Sequence, residues 1–251
     1  MKTLLGAVLL SITLAAPAAA QDEPWSWHKA IPAGKTVEIR GVIGDIHATA
    51  AMGNEVEIVA RKNRDAKDVR IEVEEHADGV TVCAIYDDRS SCDEDRGRGR
   101  QHADHNDGEV NFEVRVPRGV KFTGSSVTGD VEATGLDARV RASSVSGSVR
   151  VSTTDIASAS SVSGSLRVRM GRSDWDGDLK FSTVSGDIDV EITGDLNADV
   201  EMTTVSGDLE SDWPLSVSSS RRQSIRGRIG SGGRGLEFST VSGSVELRKT
   251  P

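Results

Sequence analysis

Residues 143–151 read SSVSGSVRV, and residues 160–168 repeat them almost unchanged as SSVSGSLRV. Working outward, the same nine-residue pattern returns as SSVTGDVEA at 125–133, STVSGDIDV at 182–190, TTVSGDLES at 203–211 and STVSGSVEL at 239–247. Its glycines are Gly129, Gly147, Gly164, Gly186, Gly207 and Gly243, spaced by 18, 17, 22, 21 and 36 residues. A degenerate copy, SIRGRIG, places Gly227 inside the long last gap, and an early copy, GVIGDIHA, is centred on Gly44. Self-similarity at a period near twenty residues is the signature of a solenoid, in which each coil buries its apolar face only against its neighbours.

The position two before the glycine is β-branched in every copy: Val42, Val127, Val145, Val162, Val184, Val205, Ile225 and Val241. The position two after it is aliphatic: Ile46, Val131, Val149, Leu166, Ile188, Leu209, Ile229 and Val245. With mostly polar residues immediately around the glycine, the alternation has period two and predicts a half-buried strand broken by a glycine bend. On this reading the serines face outward. The predicted fold is all-β: an N-terminal β region over 21–118 leading into a parallel β-solenoid of about seven glycine-centred coils over 119–251. Stacking would pair Glu132 with Arg150 and Arg167 with Asp189, three residues after their glycines.

Composition agrees with short strands and turns: 26 glycines in 251 residues and only 4% aromatics. Extended segments are predicted at 35–40, 55–60, 69–75, 80–86 and 110–117. Residues 87–109, DDRSSCDEDRGRGRQHADHNDGE, are too charged to pack and read as a loop. Cys83 and Cys92 bracket the start of this loop and are expected to form a disulfide, which implies an oxidising compartment. Four tryptophans, Trp25, Trp27, Trp175 and Trp213, are expected to cap open ends of the solenoid.

Residues 1–20 carry Lys2, an apolar run from Leu4 to Leu14 and Ala18-Ala19-Ala20, the pattern of a cleaved secretory signal peptide. The run is too short to span a bilayer, so the expected location is the periplasm or the cell exterior. The mature chain would hold 29 basic against 39 acidic residues, net −10. That balance argues against nucleic acid as a partner. Charge is banded: six arginines and one acid over 138–173, twelve acids and one lysine over 174–212, five arginines and no acid over 213–236. From the last band, Arg221, Arg222, Arg226 and Arg228 are the candidate binding residues for an anionic ligand.

An export signal, a GVIGDIHA-type first strand, a two-stranded excursion, the connector VPRGVKF at 116–122 and then repeated VSG coils resemble the bacterial putative-adhesin family, a domain of unknown function. The resemblance covers roughly residues 31–247. It implies an exported β-solenoid and supplies no catalytic or ligand-binding residues.

Chemistry-bearing patterns are sparse. His102, Asp104, His105 and Asp107 have metal-compatible spacing, but on a charged loop they lack preorganisation, so no metal or other cofactor is expected. No G-x-S-x-G elbow occurs, and the S-x-x-K pair Ser26 and Lys29 has no S-D-N or K-T-G partner. The chain therefore reads as a non-catalytic, adhesin-like binding or interaction module facing envelope glycans or proteins. The alternatives are a structural or envelope stress-linked accessory protein and a polysaccharide-active β-helix enzyme, the latter suggested by Asp187, Asp189, Glu191, Asp208 and Glu210.

Overall fold

The computed structural model describes residues 24–86, 91–92, 108–221 and 223–250. The strands are β1 (Trp25–Ala30), β2 (Thr36–Arg40), β3 (Ile46–Ala50), β4 (Glu55–Lys62), β5 (Arg70–His76), β6 (Gly79–Ile85) and β7 (Val110–Val116). They continue with β8 (Lys121–Thr128), β9 (Val131–Leu136), β10 (Val140–Ser146), β11 (Val149–Thr153), β12 (Ala157–Ser160), β13 (Leu166–Met170) and β14 (Asp178–Ser182). The chain closes with β15 (Ile188–Ile192), β16 (Ala198–Thr203), β17 (Leu209–Ser211), β18 (Ser216–Arg221), β19 (Ser224–Ile229), β20 (Gly235–Ser239) and β21 (Val245–Lys249). The all-β solenoid is as expected. Among the described residues the only helical element is a 3₁₀ turn at Arg64–Ala66, capped by the Asn63 side chain, and no helix is long and apolar enough to cross a membrane.

Each coil gives one strand to each of two sheets, and the glycine motif is the corner between them. Thus β10 runs to Ser146, Gly147 turns, and β11 starts at Val149. One sheet has the order β1-β4-β7-β3-β9-β11-β13-β15-β21-β17, the other β18-β19-β16-β20-β14-β12-β10-β8-β2-β6-β5. The aliphatic position after the corner points inward, as the alternation requires: Ile46, Val131, Val149, Leu166, Ile188 and Val245 are all buried. They share one core with residues from the facing sheet, including Phe122, Val140, Ala159, Phe181 and Phe238. Cross-strand pairing follows the predicted register, with Arg150 opposite Glu132 and Arg167 opposite Asp189.

The coils do not stack in chain order. β2 and β3 lie between β6/β7 on one side and β8/β9 on the other. At the opposite end β20 and β21 lie between β14/β15 and β16/β17. Ordered by their glycines, the seven coils run 44, 129, 147, 164, 186, 243, 207. The early copy at Gly44 is thus one of the seven, and Gly227 is not. Gly227 lies in β19, which pairs antiparallel with β16 and β18.

Antiparallel strands cover the ends. β5 pairs with β6, and β1 with β4, which pairs with β7; β18 and β19 cover β16. Three of the four tryptophans take up capping positions and Trp175, beside the interior strands β14 and β20, does not: Trp213, buried just after the end strand β17, lies under Lys249 Nζ at 4.7 Å, and Trp25 and Trp27 on β1 pack partly buried against the core. Trp175 is buried before β14, donating through Nε1 to the Gly235 carbonyl at 3.3 Å. Cys83 on β6 is bonded to Cys92.

Candidate interaction surfaces

Two surfaces are built from the repeat: the corner edge and the outer face of the β9–β11–β13–β15–β21 sheet. At the corner the glycine is dictated by space. A Cβ on Gly147 or Gly164 would lie 2.1 Å from the carbonyl oxygen of the preceding coil's glycine, and one on Gly186 would lie 2.4 Å from that of Gly164. Backbones approach this closely only without side chains.

From Gly129 onward, the hydroxyl three before the glycine seals the contact. Ser144 Oγ donates to the Gly129 carbonyl at 2.8 Å, Ser161 to Gly147 at 2.9 Å and Thr183 to Gly164 at 2.9 Å. Thr240 donates to Gly186 at 3.1 Å and Thr204 to Gly243 at 2.9 Å, following the spatial order of the coils. These hydroxyls are buried. A second ladder uses the residue after the glycine: the Asp130 N–H donates to Asp45 Oδ1 at 2.8 Å, Ser148 N–H to Asp130 Oδ1 at 2.7 Å and Ser244 N–H to Asp187 Oδ1 at 2.9 Å.

These two ladders correct the expected orientation of the motif. The hydroxyl three before the glycine is inside, because it satisfies a carbonyl that no strand pairs, and the valine two before it is outside. Val127, Val145, Val162, Val184 and Val241 are 45–48% exposed and Val205 is 57% exposed. Thr183→Val keeps the shape and removes the donor. It is expected to cost about 1 kcal/mol, read as a lower urea midpoint with an unchanged slope.

On the outer sheet face the charges form a row, Glu132, Arg150, Arg167, Asp189 and Glu246, in which opposite charges meet at Glu132/Arg150 and Arg167/Asp189 and like charges at Arg150/Arg167 and Asp189/Glu246. Arg150 Nη1 lies 3.8 Å from Glu132, Arg167 Nε 3.8 Å from Asp189, Arg169 Nη2 2.7 Å from Glu191 and Arg248 Nε 3.5 Å from Asp189. Exposed pairs of this kind are worth about 0–1 kcal/mol each. They fix register more than stability. Glu132, Arg150, Arg167, Asp187 and Asp189 line a groove of about 230 Å³ across the face.

Asp189 sits lowest, its Oδ1 buried without a hydrogen bond among the described residues. Burial pushes its carboxyl above the usual carboxylate range, against the pull of Arg248. A carboxyl whose folded pKa exceeds its unfolded one favours the fold at low pH, and that advantage is lost as pH rises through the folded value. Asp189→Asn is therefore expected to raise Tm by about 1–2 °C at pH 7 and to leave it unchanged at pH 3, where both side chains are neutral.

The candidate arginines are placed as follows. Arg221 ends the fully exposed strand β18, and Arg222 lies outside the described residues. Arg226 and Arg228 project from β19 and pair with Glu201 and Asp199 of β16. Hydrogen bonding to Arg226 holds the Glu201 carboxyl below its ordinary range, and the Gly233 N–H and Arg228 do the same for Asp199. Asp199, Glu201, Arg226 and Arg228 line a shallow cleft of about 680 Å³, a mixed-charge site with two of the basic groups matched. His102, Asp104, His105 and Asp107 lie outside the described residues. The exposed valine row is the element that sequence reasoning missed; the Ser or Thr three before six of the seven glycines was the available signal.

No curated protein matches the chain. Among solved structures it is similar to a "putative cell adhesion protein" from Clostridium sporogenes ATCC 15579, at 8% identity over 91% of this chain and 100% of that one, with TM-score 0.43. It is also similar to a "putative adhesin" from Bacteroides fragilis NCTC 9343, at 14% identity over 90% of this chain and 98% of that one, with TM-score 0.38. The sequence profile of one family, described as Toastrack DUF4097, matches residues 102–248 and so takes in six of the seven corner glycines; the chain belongs to the Toastrack DUF4097 family.

Proposed function

We propose that the chain is a non-catalytic, exported interaction module that recognises an envelope glycan or protein through its laddered charged surfaces. The observation that carries this reading is the in-register row of Glu132, Arg150, Arg167, Asp189 and Glu246 on one rigid, largely exposed sheet face. Such a face offers a repeating ligand donors and acceptors at coil spacing, about 4.8 Å, with little ordering cost on binding. The names of the two solved relatives as adhesins accord with it, as does a disulfide in an exported chain.

The test is binding of residues 21–251 to arrayed glycans and to envelope fractions, with salt titrated. Saturable, salt-weakened binding that drops at least tenfold in Arg150→Ser/Arg167→Ser supports recognition by the sheet face. Loss instead in the fourfold change of Arg221, Arg222, Arg226 and Arg228 to Ser transfers recognition to the basic band. No binding by folded protein in either assay rejects the reading.

A further inference from the structure

Six of the eight large apolar side chains exposed among the described residues belong to one row: Val127, Val145, Val162, Val184, Val241 and Val205, taken in stack order. Bridges between Ser146, Ser163, Ser185, Ser242 and Ser206 hold the adjoining hydroxyl row in the same register. Neither row carries a charge. The acids adjoining the row in sequence, Asp130, Asp187 and Asp208, follow the glycines and so lie on one flank of it. An apolar row this regular has no role in the core, since the valines point away from it, and scattered surface valines would not align.

The spacing of the row selects its occupant. Coils repeat at about 4.8 Å, whereas an extended peptide laid along the row offers same-side residues only every ~6.6–6.8 Å and drifts out of step within two or three rungs. A helix alternates steps of ~4.5 and ~6 Å and drifts likewise. A second stack of coils has the same period and stays in step over all six rungs. The charges agree: two rows running the same way about a two-fold axis parallel to the stack put the acidic flanks on opposite sides, which avoids like-charge repulsion. Six half-exposed valines leave on the order of 400 Å² of apolar surface. With the flanking hydroxyl and Asp/Ser rows this approaches the ~800 Å² per partner of a standard interface.

We infer that the valine edge is a self-docking surface through which two copies of this chain associate, row on row, with a dissociation constant on the order of 1–100 µM. The surface is separate from the charged face, so a pair would present two such faces and gain avidity for a repeating ligand.

Sedimentation velocity of residues 21–251 from about 1 to 300 µM is the test. A monomer–dimer transition is expected, weakened at least tenfold by Val162→Asp/Val184→Asp and unchanged by Arg226→Ser/Arg228→Ser, with melting curves confirming that each variant folds. Val127→Cys is expected to cross-link to itself under mild oxidation; cross-linking only in a mixture with Val205→Cys overturns the same-way arrangement. A monomer at every concentration, or a dimer indifferent to the aspartates, overturns the inference. Neither result bears on glycan or envelope binding through the charged face, which is read separately.

Discussion

Gly186→Ala is expected to lose about 3–5 kcal/mol of stability and, in a chain of this size, at least ~8 °C of Tm. Two costs coincide at this corner. The backbone has φ +150°, which L side chains rarely adopt, and the added methyl would sit 2.4 Å from the Gly164 carbonyl oxygen. The obstacle is backbone, so no rotamer change relieves it. Separating the coils would stretch the Thr183 hydroxyl bond to the same carbonyl and the Gly164 N–H bond to the Ser185 carbonyl, 2.9 Å each. Two controls separate the causes. Gly177 has φ +77° with open space where the Cβ would go, so Gly177→Ala should cost about 1 kcal/mol. Gly53 has open space and no left-handed φ, and alanine there should stay within about 0.5 kcal/mol of the parent. Equal losses at Gly177 and Gly186 in urea titrations would refute the close-approach account.

The same corner shows how far the fold was legible in the sequence. Period and the buried aliphatic after the glycine followed from spacing alone, because a strand resumes its alternation once past the bend, whereas which copies form coils did not, since Gly44 belongs to the stack and Gly227 does not. The valine before the glycine could not be oriented that way. The corner interrupts the alternation, and the side that faces inward is set by which group must satisfy a carbonyl, here the hydroxyl of Ser161 or Thr183. Coil order was hidden for another reason. Lys180 faces Glu237, but in chain order it would have faced Glu201, which stands opposite Glu237 on the other side. An acid met the lysine in either arrangement, so charge pairing could not discriminate. The charged face was half legible: Glu132 with Arg150 and Arg167 with Asp189 were predictable, whereas the engagement of Arg226 and Arg228 by Glu201 and Asp199 needed the antiparallel strand β19.

Deleting residues 234–251 is expected to disorder far more than the coil it removes. In a simple solenoid the final coil has one neighbour, and its loss cuts one interface. Here β20 is hydrogen-bonded to both β14 and β16, and β21 to both β15 and β17, so the deletion cuts two interfaces in each sheet. It removes buried Leu236, Phe238, Val245 and Leu247, on the order of 6–10 kcal/mol of apolar transfer free energy, and the stacked ring of Phe181 loses its partner at 5.5 Å. To close the gap β16 would have to move a full coil toward β14, and Val200 and Met202 would have to replace Leu236 and Phe238 against Leu179 and Phe181. During synthesis the segment that fills this slot emerges after β16 to β19, so this end of the stack completes only once β20 and β21 have emerged. The expected result is a truncated protein in which the strands within 36–85 and 110–192 remain protected from hydrogen exchange. Residues 198–229 would exchange freely and be cut by protease at low concentration, and Tm would fall by more than ~10 °C. A truncated chain that melts within about 2 °C of the parent, with β16 amides still protected, would mean that β16 can take the vacated place and that the inserted coil is not what holds the end of the stack.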